Sequence, residues 1–253
     1  MRITLAAPAA FVALSGPKTI NSLVLTAAAT ATWAMGNTLT LTSGQLISPN
    51  NNRNITSGTL TAGTGGPVDL DITVVSGTTA FDTSAIISNN GTGVVTLVKN
   101  GVSTLTLANN TVDNAYSGGT IVNGGMLVLS GINSGAGATM INTGKLVAVT
   151  GGSCSNSAVT VGDGATNVIQ IASPGGIWTC SNMTYGAGTS WVDFDFGTNV
   201  LSGSTAPLQV RSNLAFNGAA LNVAVRGIVA VPAGIYPLIR YGGTITNGTP
   251  PTT

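Results

Sequence analysis

Apolar and polar residues alternate in short segments along this chain, and clusters of Gly, Asn, Ser and Thr separate the segments. The alternation is clearest at residues 38–42, 104–107 and 192–196. A period of two places one face of a β-strand in a core and the other face toward solvent. Such strands recur about every 8–12 residues with turn residues between them, and this pattern predicts an all-β fold.

The internal repetition of the sequence indicates which all-β architecture to expect. Residues 125–128 are echoed at 144–147, and residues 153–156 are echoed at 179–182. Repeats of about 20–26 residues are typical of a solenoid, in which each coil stacks its strands on the previous coil. The offsets therefore favour a single-domain β-solenoid over a β-sandwich or a closed barrel.

The composition agrees with a stacked solenoid and excludes several functions. Charged residues make up 6% of the chain, against about 25% in ordinary globular proteins, and stacked strands disfavour like charges in register. The chain has no His, so His-based catalytic triads and His-ligated metals are not expected. A net charge of +1 provides no basic surface for nucleic acid. No apolar stretch reaches the roughly 18 residues that a transmembrane helix needs.

The two cysteines, Cys154 and Cys180, occupy equivalent positions in consecutive echoes. Stacked strands would bring their Cα atoms to about 4.8 Å, within the range of about 4.4–6.8 Å that a disulfide spans. The sequence leaves two states open, a disulfide between Cys154 and Cys180 or a buried pair of free thiols, and export to an oxidising compartment favours the bond. A catalytic thiol is not expected, because the chain has no His to activate it.

Two pairs of carboxylates provide the alternative of an enzyme. Asp69 with Asp71, and Asp193 with Asp195, lie two positions apart on one face of a predicted strand, at about 6.5–7 Å. Paired carboxylates can cleave a glycan by acid–base catalysis. The competing interpretation, which we favour, is that both pairs face solvent opposite a core-facing set of apolar residues.

Three tryptophans provide the alternative of a carbohydrate-binding protein. Trp33, Trp178 and Trp191 have the ring area to stack on sugars, but they are scattered and are more typical of corner and cap positions. Taken together, the residues predict no catalytic group, no cofactor site and no metal site.

Residues 99–107 (KNGVSTLTL) and 116–129 (YSGGTIVNGGMLVL) resemble the autotransporter-associated β-strand repeat. That family's pattern reads approximately K-x-G-x-G-T-L-T-L followed by N-x-Y-x-G-G-T-x-x-x-G-G-x-L, and residues 102–103 and 112–115 depart from it. The resemblance is specific over positions 99–129 and loose over most of the chain. It implies a right-handed parallel β-helix that is exported and displayed at a bacterial surface.

These observations predict one β-solenoid domain over residues 1–253. Within it, residues 1–18 form an N-terminal cap or a signal remnant, residues 99–131 are the best-matching repeat, and residues 191–253 are a more irregular C-terminal part. The expected function is that of a secreted or surface-displayed structural rod for adhesion or self-assembly, without catalysis. Its expected partners are a second copy, joined head to tail, or a surface glycan or cell-surface ligand. Neither nucleic acid nor a transmembrane segment is expected.

Overall fold

The computed structural model describes residues 13–26, 31–49, 53–75, 80–108, 113–218, 220–227 and 233–246. Most of the predicted N-terminal cap or signal remnant therefore lies outside the described residues. The described chain is built from 23 strands and contains no helix. In chain order the strands are β1 Lys18–Val24, β2 Ala31–Ala34, β3 Thr38–Ser48, β4 Arg53–Thr56, β5 Thr59–Ala62, β6 Val68–Val74, β7 Ala80–Thr83, β8 Ile86–Ile87, β9 Val95–Asn100, β10 Thr104–Leu107, β11 Thr120–Val122, β12 Met126–Leu129, β13 Thr139–Ile141, β14 Lys145–Val149, β15 Ser153–Val161, β16 Thr166–Gln170, β17 Trp178–Tyr185, β18 Thr189–Asp195, β19 Leu208–Val210, β20 Leu214–Phe216, β21 Ala220–Arg226, β22 Ile239–Tyr241 and β23 Ile245–Thr246.

The strands form two long sheets, one of 14 strands and one of nine, and every strand pair in them is parallel. Successive strands of the 9-stranded sheet are separated along the chain by strands of the 14-stranded sheet. β10, for example, pairs with β7 before it and β12 after it. Parallel pairing between strands one coil apart defines a β-solenoid and confirms the predicted parallel β-helix.

The 14-stranded sheet bends within β3, so the coils at this level have strands on three sides. The first half of β3 pairs with β5 and its second half pairs with β6. The bend lies at Gly44, whose φ is 72°, and a Cβ there would collide with the carbonyl oxygen of Asp69 on the next coil. Glycine is therefore required at this corner by both the backbone conformation and the close approach of the next coil.

The core consists of rows of apolar side chains that stack along the axis of the solenoid. In the 9-stranded sheet, Leu105, Leu127 and Leu146 are in-register partners, and each is fully buried. The residues that alternate with the leucines along β10, such as Thr106, point away from the core and are only half-buried. The period-two alternation thus points alternate residues into the core, as predicted for residues 104–107.

The length of a coil varies more than the sequence echoes indicate. In the short coil that follows β12, Leu129 is in register with Ala148, whereas in the much longer coil that follows β18, Phe194 is in register with Val225. The extra residues lie between β18 and β19, at positions 196–207. A solenoid tolerates such insertions, because a loop leaves the stack without changing the register of the strands on either side.

Candidate functional site: corners, cysteine pair and outer faces of the solenoid

The corner after β9 is held by a buried lysine. Lys99 lies in an inward-facing row between Ile72 and Val122 and is fully buried. Its Nζ donates hydrogen bonds to the carbonyl oxygens of Asn100, Gly101 and Gly124, at 2.7, 3.0 and 3.1 Å. Since Gly124 belongs to the next coil, the ammonium group joins two stacked corners.

Burial lowers the pKa of Lys99 to about 8, and the nearby Asp71 carboxylate acts in the opposite direction. The ammonium form therefore persists at neutral pH, where it supplies three donors to the three carbonyl oxygens. These contacts identify Lys99 as a structural residue, because a buried charge is tolerated only where its hydrogen-bonding groups are satisfied.

Residues 113–118 contain no strand, and their side chains replace part of the missing backbone ladder. The Oδ1 of Asn114 accepts a hydrogen bond from the backbone N–H of Ile87 at 2.8 Å. The hydroxyl groups of Tyr116 and Thr120 lie 2.6 Å apart. Burial raises the pKa of Tyr116, and its hydrogen bond with Thr120 partly offsets the shift. A polar layer therefore interrupts the apolar core at this level.

The polar layer surrounds an internal cavity of about 10 Å³, which Asn114, Asn133 and Cys154 help to line. A cavity of this size holds at most one water molecule. The layer is consequently a structural feature of the coil and has no room for a substrate.

The two cysteines stack as predicted. Cys154 and Cys180 are in-register partners on β15 and β17, and the register shifts immediately after Cys154. Both side chains are buried free thiols. Burial raises the pKa of Cys180 to about 12 and that of Cys154 well above its ordinary value, with Cys180 adding to the second shift. The register places the two residues side by side on neighbouring strands, burial disfavours the thiolate form of both, and the disulfide stays a prediction.

The carboxylates of Asp193 and Asp195 share a single cationic partner that the sequence did not reveal. Nε of Arg226 lies 2.7 Å from Oδ2 of Asp193, and its Nη1 lies 3.2 Å from Oδ2 of Asp195. The hydrogen bond to Asp193 is the main reason that the pKa of Arg226 is raised. The arginine therefore engages both carboxylates that a glycan-cleaving mechanism would need.

Among the described residues, Asp69 and Asp71 form no ion pair and share no cationic partner, although the Asp71 carboxylate opposes the burial that lowers the pKa of the nearby Lys99. Asp69 is exposed, whereas the Oδ1 of Asp71 accepts a hydrogen bond from Thr73 at 3.0 Å. Among the described residues, no group of three or more Asp, Cys, Glu or His side chains is placed to hold a metal ion.

The three tryptophans divide into two core residues and one surface residue. Trp33 and Trp178 are buried, and Trp191 is 43% exposed on the outer face of β18. Trp191 has Thr166 and Asn222 as its in-register partners. Of the three, only Trp191 is placed to stack on a ligand.

The two ends of the described solenoid differ in character. At the N-terminal end, the exposed Lys18 lies in register with the core residue Leu39. At the C-terminal end, Val223, Val225 and Tyr241 continue inward-facing rows but are 38–43% exposed.

Among the described residues, no helix is long and apolar enough to cross a membrane.

The comparison with known proteins finds a family resemblance in the central coils. The profile of the passenger-associated-transport-repeat family matches residues 97–128 and 124–148. This match confirms the predicted passenger-repeat resemblance. The matched segments include Lys99 and the polar-layer residues Asn114, Tyr116 and Asn133. Repeats of this family imply a secreted or surface location. No curated protein and no solved structure matches the chain.

Proposed function

We propose that this chain is the rod of an exported passenger-type protein and acts outside the cell as a structural, non-catalytic surface. One observation carries the proposal: two passenger repeats, at 97–128 and 124–148, lie within an uninterrupted stack of parallel coils. A stacked solenoid extends by about 4.8 Å with every coil. Such a rod would display its side faces at a distance from the cell surface.

The outer faces of the rod, where adhesion would occur, support this function better than catalysis. The core is filled by stacked apolar rows, and the internal cavity of the polar layer is about 10 Å³. The neighbouring carboxylates of Asp193 and Asp195 on the 9-stranded sheet are both engaged by Arg226. The proposed rod would act by presenting rows of outward-facing polar side chains to a binding partner.

Labelling of intact cells tests the proposed location. Antibodies raised against the purified chain should label non-permeabilised cells of the source organism, or the chain should be recovered from the culture medium. An antibody against a cytoplasmic protein serves as the control for intact cells. Labelling that appears only after permeabilisation, with no chain in the medium, would overturn the proposal.

Self-assembly is a second candidate, and the exposed inward-facing valines at the C-terminal end favour it. Val223 and Val225 end their rows on β21 without a further strand in the described chain. Unpaired strand edges with apolar side chains are templates for addition of another chain. Lys18 opposes this pairing at the other end, because an inward-pointing charge on an edge strand disfavours stacking.

Light scattering and electron microscopy test the second candidate. Filaments of the wild type should be lost in Val225→Lys and promoted in Lys18→Leu. Val102→Lys is the matched control, because Val102 is 72% exposed in the turn between β9 and β10, in the middle of both sheets. Monomers in all four proteins would reject self-assembly and leave the surface rod as the remaining function.

A further inference from the structure

A cationic groove lies near the C-terminal end of the solenoid, on the 14-stranded sheet. It has a volume of about 360 Å³ and is open to solvent. Its lining includes Gln209, Arg211, Arg240 and Tyr241. Arg211 and Arg240 are both exposed and belong to adjacent coils, because Gln209 and Arg240 are in-register partners.

The two arginines have no carboxylate partner in the described chain. The ion pairs among the described residues are those of Arg226 with Asp193 and Asp195, in the 9-stranded sheet. Arg211 donates one long hydrogen bond, of 3.5 Å, to the backbone carbonyl of Ser155. Their guanidinium groups therefore retain donors for a ligand.

The distribution of charge along the sequence strengthens this contrast. Residues 1–195 contain five basic and seven acidic residues, a net charge of −2. Residues 196–253 contain three arginines and no acidic residue, a net charge of +3. The groove thus lies in a part of the chain that has no acidic side chain of its own to compete with an anion.

A row of neutral polar groups leads away from the groove along the axis of the rod. Ser153, Thr179, Gln209 and Arg240 are successive in-register partners on β15, β17, β19 and β22. Neighbouring members of the row are spaced by about 4.8 Å, the distance between parallel strands. The row offers hydroxyl and amide groups followed by a guanidinium group, and Arg211 lies at the next corner.

We propose that this groove and polar row bind an acidic polysaccharide, with Arg211 and Arg240 holding its anionic groups. A guanidinium group binds carboxylate or sulfate oxygens through two parallel hydrogen bonds. The hydroxyl and amide groups of the row are matched to sugar hydroxyls. The inference rests on the proposed surface function and names the class of ligand for it.

Nucleic acid fits the same surface less well. Binding to a nucleic acid backbone depends on neutralising many phosphates, and this chain has a net charge of only +1. Two arginines beside a row of neutral hydrogen-bonding groups suit a polymer that presents free hydroxyl groups next to its anionic groups, which a DNA backbone does not.

Binding of defined polymers to the full chain tests the proposal. The wild type should bind polygalacturonate or dextran sulfate and should not bind neutral dextran, in a microscale thermophoresis or sedimentation assay at low salt. Preference between the first two probes distinguishes carboxylate from sulfate as the recognised group. The double variant Arg211→Gln/Arg240→Gln should bind at least about tenfold more weakly, which corresponds to about 1.4 kcal/mol.

Lys145→Gln is the matched control, since it removes one exposed positive charge from the outer face of the 9-stranded sheet. It should bind as the wild type does, and thermal melting should show that all variants are folded. Three results would overturn the proposal: no binding of either anionic polymer, equal binding by the double variant, or binding of duplex DNA alone. If any of these occurs while intact cells are still labelled, the site is wrong and the surface function stands.

Discussion

Replacement of a stacked core leucine by arginine tests the packing of the coils that match the passenger repeat. Leu127 is fully buried between its in-register partners Leu105 and Leu146. Truncation of a buried leucine to alanine costs about 2–5 kcal/mol. Arginine adds the cost of burying an unpaired charge, several kcal/mol more. Domains of this size have a free energy of unfolding of about 5–15 kcal/mol, so Leu127→Arg should remove the central coils from the folded state.

The adjacent residue provides the control. Val128 points outward between Thr106 and Val147 and is half-buried. Val128→Arg adds the same side chain one position along and should cost less than about 1 kcal/mol, because its guanidinium group reaches solvent. Urea unfolding followed by circular dichroism measures both. Free energies of unfolding that agree within about 1 kcal/mol between the two variants would refute the stacked row.

Three further predictions concern the corner lysine, the cysteine pair and a corner glycine. Burial lowers the pKa of Lys99 from 10.5 to about 8, so the unfolded chain binds this proton more tightly. The free energy of unfolding of the wild type, relative to Lys99→Met, should therefore rise from pH 8 to pH 10.5, and a constant or falling difference would contradict the burial. In the reduced native protein, Cys154 and Cys180 should not react with Ellman's reagent at about pH 8, and both should react after denaturation; rapid native labelling would show that they are accessible. Gly44→Ala should lower the free energy of unfolding by more than about 1 kcal/mol because of its positive φ and the blocked corner, whereas Gly16→Ala, which has open space around it, should change it little in the same assay.

The strands and the stacking of the repeats could be predicted from the sequence because both leave local signals. Period-two alternation marks β10 and β12, and the echo between residues 153–156 and 179–182 brings Cys154 into register with Cys180. The inward position of Lys99 was also accessible, since it lies two residues after the core residue Leu97. A lysine in a row of inward-facing residues is tolerated where backbone carbonyl groups accept its hydrogen bonds, as they do at the corner after β9.

The ion pairs of Arg226 on the outer face could not be predicted from the sequence, because they depend on the length of the longest coil. Arg226 reaches Asp193 and Asp195 only because the long coil between β18 and β21 returns it to register with Asp195, and no echo in the sequence marks that offset. The replacement of a strand by the side chain of Asn114 was equally hidden. Its hydrogen bond to Ile87 joins two coils across a segment where the alternation stops.

Distances between spin labels test whether the chain is a rod of stacked parallel coils. Thr32, Val128 and Ala224 belong to one outward row of the 9-stranded sheet, with four coil steps from the first to the second and eight from the first to the third. The backbone separations should therefore be about 19 Å for Thr32 with Val128 and about 38 Å for Thr32 with Ala224. Double electron–electron resonance on the two cysteine-labelled pairs, in a chain with Cys154 and Cys180 replaced by serine, measures both. A distance that doubles between the pairs is the predicted result, and two similar distances would contradict the rod.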